Sequence, residues 1–148
     1  MNEIKKIVVP VDFSKITDIL VNYSTSMAGK LSAAIHFIHA VTFPTGDAMI
    51  GAPFAVEYEG KILADAQAKM SNLLTDNSER APGCTGEVIV GDPVDKIIET
   101  AREKKADLII ISTHGYKGLE KILLGSVAGR VLKRAPCPVL TINPFQER

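Results

Sequence analysis

Residues 111–131, ISTHGYKGLEKILLGSVAGRV, hold the residue types most suited to chemistry in this chain. A branched apolar run leads into Ser-Thr-His-Gly at 112–115, and ten residues later Gly125-Ser126 precedes a helical pattern. Glycine lets a backbone approach a ligand closely, and the free N–H groups at a helix start attract anions. The spacing is therefore typical of two turns that hold a phosphate chain. Tight chain reversal and helix capping are the alternative uses of the same residues.

Length and charge narrow the classes of function. The chain has 148 residues, 46% of them hydrophobic, which predicts one folded domain over residues 1–148. Lys+Arg and Asp+Glu both number 17, so the formal net charge is zero. Nucleic acid and anionic membranes both require a basic surface, so neither is an expected partner. No apolar run reaches the ~18 residues of a spanning helix and no signal peptide is visible, so we expect a cytoplasmic protein.

Apolar periodicity predicts strands that alternate with helices. The predicted strands are 7–13, 34–43, 86–91, 106–112 and 137–144. The predicted helices run from an N-cap at Ser14 to near Gly29, from about Tyr58 to Ser78, onward from Asp92-Pro93, and from Ser126 to about Arg134. This alternation indicates a three-layer α/β/α sandwich around a five-stranded parallel sheet, Rossmann-like, with strand order 3-2-1-4-5.

The predicted topology brings two chain segments together. Sheets of this kind bind ligands beyond the carboxyl ends of their strands, where the strand order reverses. The first and fourth strands are neighbours across that reversal, so Pro10, Val11 and Asp12 are expected opposite residues 112–115. The Asp12 carboxylate can accept hydrogen bonds from ribose hydroxyls there. Alternatively, it caps the first helix.

Other reactive residues carry weaker signals. His36 and His39 lie three apart on one strand and hence on opposite faces, which disfavours a shared metal site. His114 is expected to line the crevice rather than to bind a metal. Cys84 and Cys137 have no visible partner for nucleophilic catalysis. The motifs G-x-x-x-x-G-K-[ST], G-x-G-x-x-G and G-x-S-x-G are all missing, so no standard enzyme class is indicated.

Taken as a whole, the chain resembles the universal stress proteins. The resemblance rests on VVPVDFS, IHAV, GDP and APCPVLTI in chain order, and on the glycine spacing. Nucleotide-binding members carry Gly-x-x-Gly, nine residues, then Gly-Ser or Gly-Thr; Gly115 is the second glycine and Gly125-Ser126 closes the motif. Ser112 stands in place of the first glycine. It is small enough for close backbone approach and offers a hydroxyl, although it adds a Cβ.

The resemblance implies an adenine nucleotide alpha hydrolase-like fold with a site for ATP, with Mg²⁺ or Mn²⁺ carried by the nucleotide and no dedicated protein metal site. Asp12 would contact the ribose, residues 112–115 would follow the ribose and α-phosphate, and the start of the last helix would hold the β- and γ-phosphates. The full implied set of binding residues is Pro10, Val11, Asp12, Ala40, Ile111, Ser112, Thr113, His114, Gly115, Gly125, Ser126 and Val127.

The resemblance also implies a homodimer formed through residues 137–143, an apolar strand that would otherwise be an aggregation risk. We expect a nucleotide-dependent stress-response regulator or binding module with an unidentified protein partner. Hydrolysis should be slow or absent, because His114 is the sole candidate general base and no residue that would orient it is visible in the sequence. Two alternatives stay open: an interaction protein that binds no ATP, and a site that prefers AMP or a cyclic nucleotide.

A predicted loop at residues 44–57 has no clear period and holds two prolines and two glycines. It leaves the second strand beside the expected adenine pocket. Its apolar residues Met49, Ile50 and Phe54 would form either a lid over the base or a docking patch for a partner.

Overall fold

Strands and helices alternate along the part of the chain that the computed structural model describes, which comprises residues 2–43, 52–114 and 125–145 without the side chains of 52–54. The strands are β1 (Lys6–Pro10), β2 (Ala34–Val41), β3 (Thr85–Val90), β4 (Leu108–Ser112) and β5 (Val139–Ile142). The helices are α1 (Thr17–Leu31), α2 (Ala52–Asp76), α3 (Pro93–Glu103) and α4 (Ser126–Arg134). Within these residues, no helix is long and apolar enough to cross a membrane.

The five strands form one parallel sheet in the order β3-β2-β1-β4-β5, which confirms the predicted topology. Successive side chains of each strand point to opposite faces of the sheet. Because both faces carry apolar side chains, helices cover both. Ile7 and Val9 of β1 pack into a core cluster with α1 and α2. Val8, between them, packs into a second cluster with α3 and α4. All three are at most 1% exposed, so β1 is the centre of a three-layer sandwich.

The sheet opens between β1 and β4. β1 pairs with β2 at five positions, from Lys6 to Pro10, but with β4 at two, Ile7 with Leu108 and Val8 with Ile109. The carboxyl ends of β1 and β4 therefore run on without pairing to each other. This is the point where the strand order reverses, which is where sheets of this kind bind their ligands.

The start of α2 differs from the prediction. The helix begins at Ala52, six residues before the predicted start at Tyr58, so the second half of the predicted 44–57 loop is helical. Pro53 explains the error, because proline within the first turn of a helix loses no hydrogen bond and starts the helix rather than breaking it. Met49, Ile50 and the side chain of Phe54 lie outside the described part, so the lid and docking interpretations stay predictions.

The N-cap predicted for α1 is wrong, whereas the predicted end near Gly29 agrees with the observed end at Leu31. The helix begins at Thr17, without a side-chain cap, and the Ser14 hydroxyl is buried with no hydrogen-bond partner in the described part of the chain. At the other end Ser32 takes the left-handed conformation, with φ of 53°, while Gly29 lies inside the helix. The cap predicted for α3 is confirmed: Asp92 accepts a hydrogen bond from the Asp95 amide at 3.1 Å, and Pro93 follows it.

Candidate functional site

The loop after β4 and the start of α4 are joined directly. The Gly125 amide donates to the Thr113 carbonyl at 2.7 Å. A Cβ at position 125 would lie 2.5 Å from that carbonyl oxygen, which is closer than side-chain atoms pack. Gly125 is therefore required for the approach of the two segments, and this contact places the first residues of α4 beside the carboxyl end of β4.

Within the described part of the chain, the first turn of α4 offers unpaired donors. Gly125 is the N-cap and Ser126 is the first helical residue, so the alternative that Ser126 caps the helix does not hold. The Ser126 side chain is exposed, and its hydroxyl makes no hydrogen bond in the described part of the chain. The first N–H groups of any α-helix have no intrahelical partner and lie at its positive end. Val127 packs against the core cluster of α3 and α4, so its backbone is the part available to a ligand.

Asp12 follows β1 on the other side of the opening. One carboxylate oxygen, Oδ1, accepts hydrogen bonds from the Ser14 amide at 3.0 Å and from the Thr17 hydroxyl at 3.3 Å. Asp12 therefore does not cap α1, which has no side-chain cap, but this oxygen holds the turn that enters the helix. The other oxygen, Oδ2, accepts no hydrogen bond in the described part of the chain. The half-buried carboxylate can therefore serve both the turn and a ligand.

The side chains of the loop after β4 are engaged in local contacts. The Ser112 hydroxyl accepts a hydrogen bond from the His114 amide at 3.2 Å. Thr113 is tied to the end of β5, because its amide and hydroxyl both donate to the Ile142 carbonyl, at 2.9 and 3.3 Å. Its hydroxyl oxygen also lies 2.9 Å from Nδ1 of His114. Since these contacts hold the loop from within, we expect a ligand to meet mainly its backbone.

His114 is more enclosed than the prediction of a crevice-lining side chain implies. Its residue is 8% exposed, and its ring packs edge-on against Phe145, with centroids 4.8 Å apart and planes at 83°. A buried imidazole packed in this way is poorly placed to activate water at a phosphate. Gly115, the next predicted site residue, lies outside the described part of the chain.

The remaining predicted residues contribute backbone. Pro10 ends β1, Ala40 lies near the carboxyl end of β2, and both are half-buried. Ile111 is 4% exposed, with its side chain in the core cluster of α3 and α4. All three lie at the edge of the sheet where the strands end, so the structure brings the described members of the predicted set to one region.

Sequence reasoning missed a role for His39. Its Nδ1 lies 2.7 Å from the Val11 carbonyl, and its ring packs against Phe13 with centroids 4.6 Å apart. Phe13 itself has a left-handed backbone, with φ of 56°. The signal in the sequence is weak: His39 is a polar residue near the end of an apolar strand. Its spacing from His36 bears only on metal binding and does not predict a contact with Val11.

The other reactive side chains lie elsewhere. His36 contacts the Thr85 hydroxyl at 2.7 Å and a Glu87 carboxylate oxygen at 2.9 Å, on the sheet face opposite His39. No group of three metal-ligating side chains converges within the described ranges. Burial raises the pKa of both thiols, Cys84 and Cys137, so neither is an activated nucleophile.

These features define a doubly wound α/β protein whose switch point is flanked by a carboxylate and a helix start. The sequence profile of the universal stress protein family matches residues 3–143, so the chain belongs to that family. A relative, Universal stress protein MJ0531 of Methanocaldococcus jannaschii, is 35% identical over 96% of this chain and 84% of its own length.

Solved structures share the fold. The structure of MJ0577, from the same organism, covers 96% of this chain and 97% of its own, with 27% identity and a TM-score of 0.82. A universal stress protein in complex with cAMP covers 97% and 99%, with 24% identity and a TM-score of 0.67. Other structures of this fold, from Archaeoglobus fulgidus and Arabidopsis thaliana, hold dAMP and AMP. Adenine nucleotides are thus found in structural neighbours of this chain.

Proposed function

We propose that this universal stress protein binds an adenine nucleotide, in the first place ATP, in the crevice between β1 and β4, and acts as a nucleotide-dependent regulator or binding module. The hydrogen bond from Gly125 to the Thr113 carbonyl is the observation that carries the proposal, because it puts the start of α4 at the crevice. A single short contact thereby unites the two turns whose spacing suggested phosphate binding.

Each part of the nucleotide has a complementary group. The free N–H groups of α4 and the exposed Ser126 hydroxyl suit the β- and γ-phosphates. The Oδ2 atom of Asp12 suits a ribose hydroxyl, since a charged acceptor strengthens such a bond. The backbone near Val11 and Ala40 would frame the adenine. Divalent metal would arrive with the nucleotide, held by its phosphates.

AMP or a cyclic nucleotide is the second candidate ligand. The Ser112 hydroxyl accepts a hydrogen bond from the His114 amide at 3.2 Å, so this bond would have to open before the amide could meet the α-phosphate of any nucleotide. A mononucleotide would use only this loop and not the start of α4. The universal stress protein in complex with cAMP shows that the fold accommodates such a ligand in a neighbour.

The test is thermal unfolding with millimolar Mg-ATP, AMP, cAMP and GTP in parallel. A ligand at about 100 times its Kd adds ~2.7 kcal/mol to stability, and each kcal/mol raises the midpoint by about 2–4 °C in a chain of this size. We expect ATP to give the largest shift. Ser126→Ala should reduce the ATP shift but leave the AMP shift unchanged, because AMP has no β- or γ-phosphate and the hydroxyl has no bond within the described part of the chain. Ser26→Ala, exposed on α1, is the matched control.

The outcomes separate the candidates. Equal shifts with AMP and ATP, both insensitive to Ser126→Ala, would mean that the start of α4 holds no phosphate and would favour the mononucleotide. No shift with any nucleotide would contradict the proposal and favour an interaction protein of the same fold.

A homodimer through residues 137–143 is a further part of the proposal. β5 is an edge strand of the sheet, and its four residues are only partly buried in the single chain. An apolar edge strand needs a cover, which a second copy would supply. We expect a dimer mass in light scattering at micromolar concentration; a monomer mass would refute it. The cytoplasmic location and the single domain over residues 1–148 stay predictions.

A further inference from the structure

The turn that carries Asp12 is held in an uncommon conformation. Phe13, the next residue, has φ of 56°, in the left-handed region that is unfavourable for a residue with a side chain. A turn of this kind persists only where its surroundings hold it. After Phe13, the turn is held by the hydrogen bond from the Ser14 amide to Oδ1 of Asp12.

Before Asp12, the same turn is held by His39, which contacts the Val11 carbonyl. A carbonyl oxygen only accepts hydrogen bonds, so the 2.7 Å contact with Val11 requires that Nδ1 carries the proton and donates it. The same imidazole packs against the ring of Phe13, with planes at 50°. One side chain on β2 thus contacts the residue before Asp12 and the residue after it.

We propose that His39 is a positioning residue for ribose recognition: by holding Val11 and Phe13 it aims the Oδ2 atom of Asp12 at the ribose of the bound nucleotide. The inference rests on the proposed function. The imidazole acts through the turn, so it need not touch the ligand. Loss of His39 lets Phe13 relax out of the left-handed region, and the carboxylate then turns away.

A purely structural role predicts something different. If His39 only packs the end of β2, its removal lowers the unfolding midpoint and weakens all nucleotides alike. If it aims Asp12, its removal selectively weakens nucleotides that have ribose hydroxyls. The discriminating quantity is therefore the ratio of the Kd for 2′,3′-dideoxy-ATP to the Kd for ATP.

The experiment measures that ratio by isothermal titration calorimetry. A hydrogen bond to a charged group is lost with the dideoxy compound, so the ratio for the unmodified protein should be about tenfold or more. In His39→Leu it should fall close to one. His39→Asn, whose side-chain amide can take the place of Nδ1–H, should recover much of the discrimination.

Two further variants complete the design. His36→Leu removes the histidine on the opposite face, with its bonds to Thr85 and Glu87, and should leave the ratio unchanged even if it lowers the unfolding midpoint. In an Asp12→Asn background, His39→Leu should cause no further loss of discrimination, since the two residues act through one contact.

An unchanged ratio in His39→Leu, or an equal fall in His36→Leu, would overturn the inference while ATP binding stands. If the unmodified protein binds neither compound, the proposed function and the inference are both overturned. If it binds both equally well, ATP binding stands but ribose recognition by Asp12, and with it the role of His39, is refuted.

Discussion

Gly125→Val is expected to lower the free energy of unfolding by about 1–3 kcal/mol, the usual range for overpacking, and to abolish nucleotide binding. The Cβ would lie 2.5 Å from the Thr113 carbonyl oxygen, so the loop after β4 and the start of α4 must move apart. This breaks the hydrogen bond that joins the two turns. Thermal unfolding with and without Mg-ATP measures both effects, and the midpoint should fall by about 2–4 °C per kcal/mol.

Gly29→Ala is the matched control for this substitution. A Cβ on Gly29, inside α1, meets nothing within 4 Å, so alanine there should stabilise the helix by up to about 1 kcal/mol. A Gly125→Val protein as stable as the unmodified one would contradict the steric argument. Because the substitution moves backbone, loss of binding in Gly125→Val does not by itself identify a phosphate contact. Ser126→Ala tests that contact without disturbing the fold.

Asp12→Asn is expected to weaken ATP binding by about tenfold or more while leaving the fold intact. Asparagine keeps an oxygen that can accept from the Ser14 amide, as Oδ1 does at 3.0 Å, but replaces the free carboxylate oxygen with an N–H donor. The charge-assisted bond to the ribose is then lost. Calorimetric titration with ATP measures the change in Kd.

Asp12→Ala separates the two roles of this residue. Alanine removes the turn acceptor as well, so the protein should also lose about 0.5–2 kcal/mol of stability, as when a helix cap is deleted. If Asp12→Asn binds ATP as tightly as the unmodified protein, the carboxylate has no part in binding, and its only role is to hold the entry to α1.

The arrangement of the site also bears on hydrolysis. His114, the candidate general base, is buried against Phe145, and its Nδ1 lies beside the Thr113 hydroxyl. That hydrolysis is slow or absent stays a prediction. The connection from Thr113 to Ile142 also links the proposed phosphate loop to β5, the strand proposed for dimerisation.

Local patterns in the sequence were sufficient for most of the fold. Continuous burial of Ile7, Val8 and Val9 is a property of any strand with helices on both sides, so a continuous apolar run predicts it. Asp92-Pro93 combines a side-chain acceptor with a fixed φ, and it starts α3 as predicted. The predicted bounds of the last helix, Ser126 and Arg134, are those of α4.

Local patterns misled where one residue type has two uses. Pro53 was interpreted as a loop residue, although it lies in the first turn of α2. Ser14 was interpreted as a cap, but its hydroxyl is buried and has no partner among the described residues, while Asp12 holds the turn. Both errors come from position within a turn, which composition does not specify.

By itself the sequence determined the order of the elements, the layers and the family, because these depend on periodicity and on short motifs. Only the tertiary structure decided how the site is held. The bond from Gly125 to Thr113 and the contact between His39 and Val11, 28 residues apart, join segments whose approach depends on the whole sheet. Such contacts produce no periodic pattern in the sequence, since each depends on one suitable side chain, or on one glycine without a Cβ, at a single position.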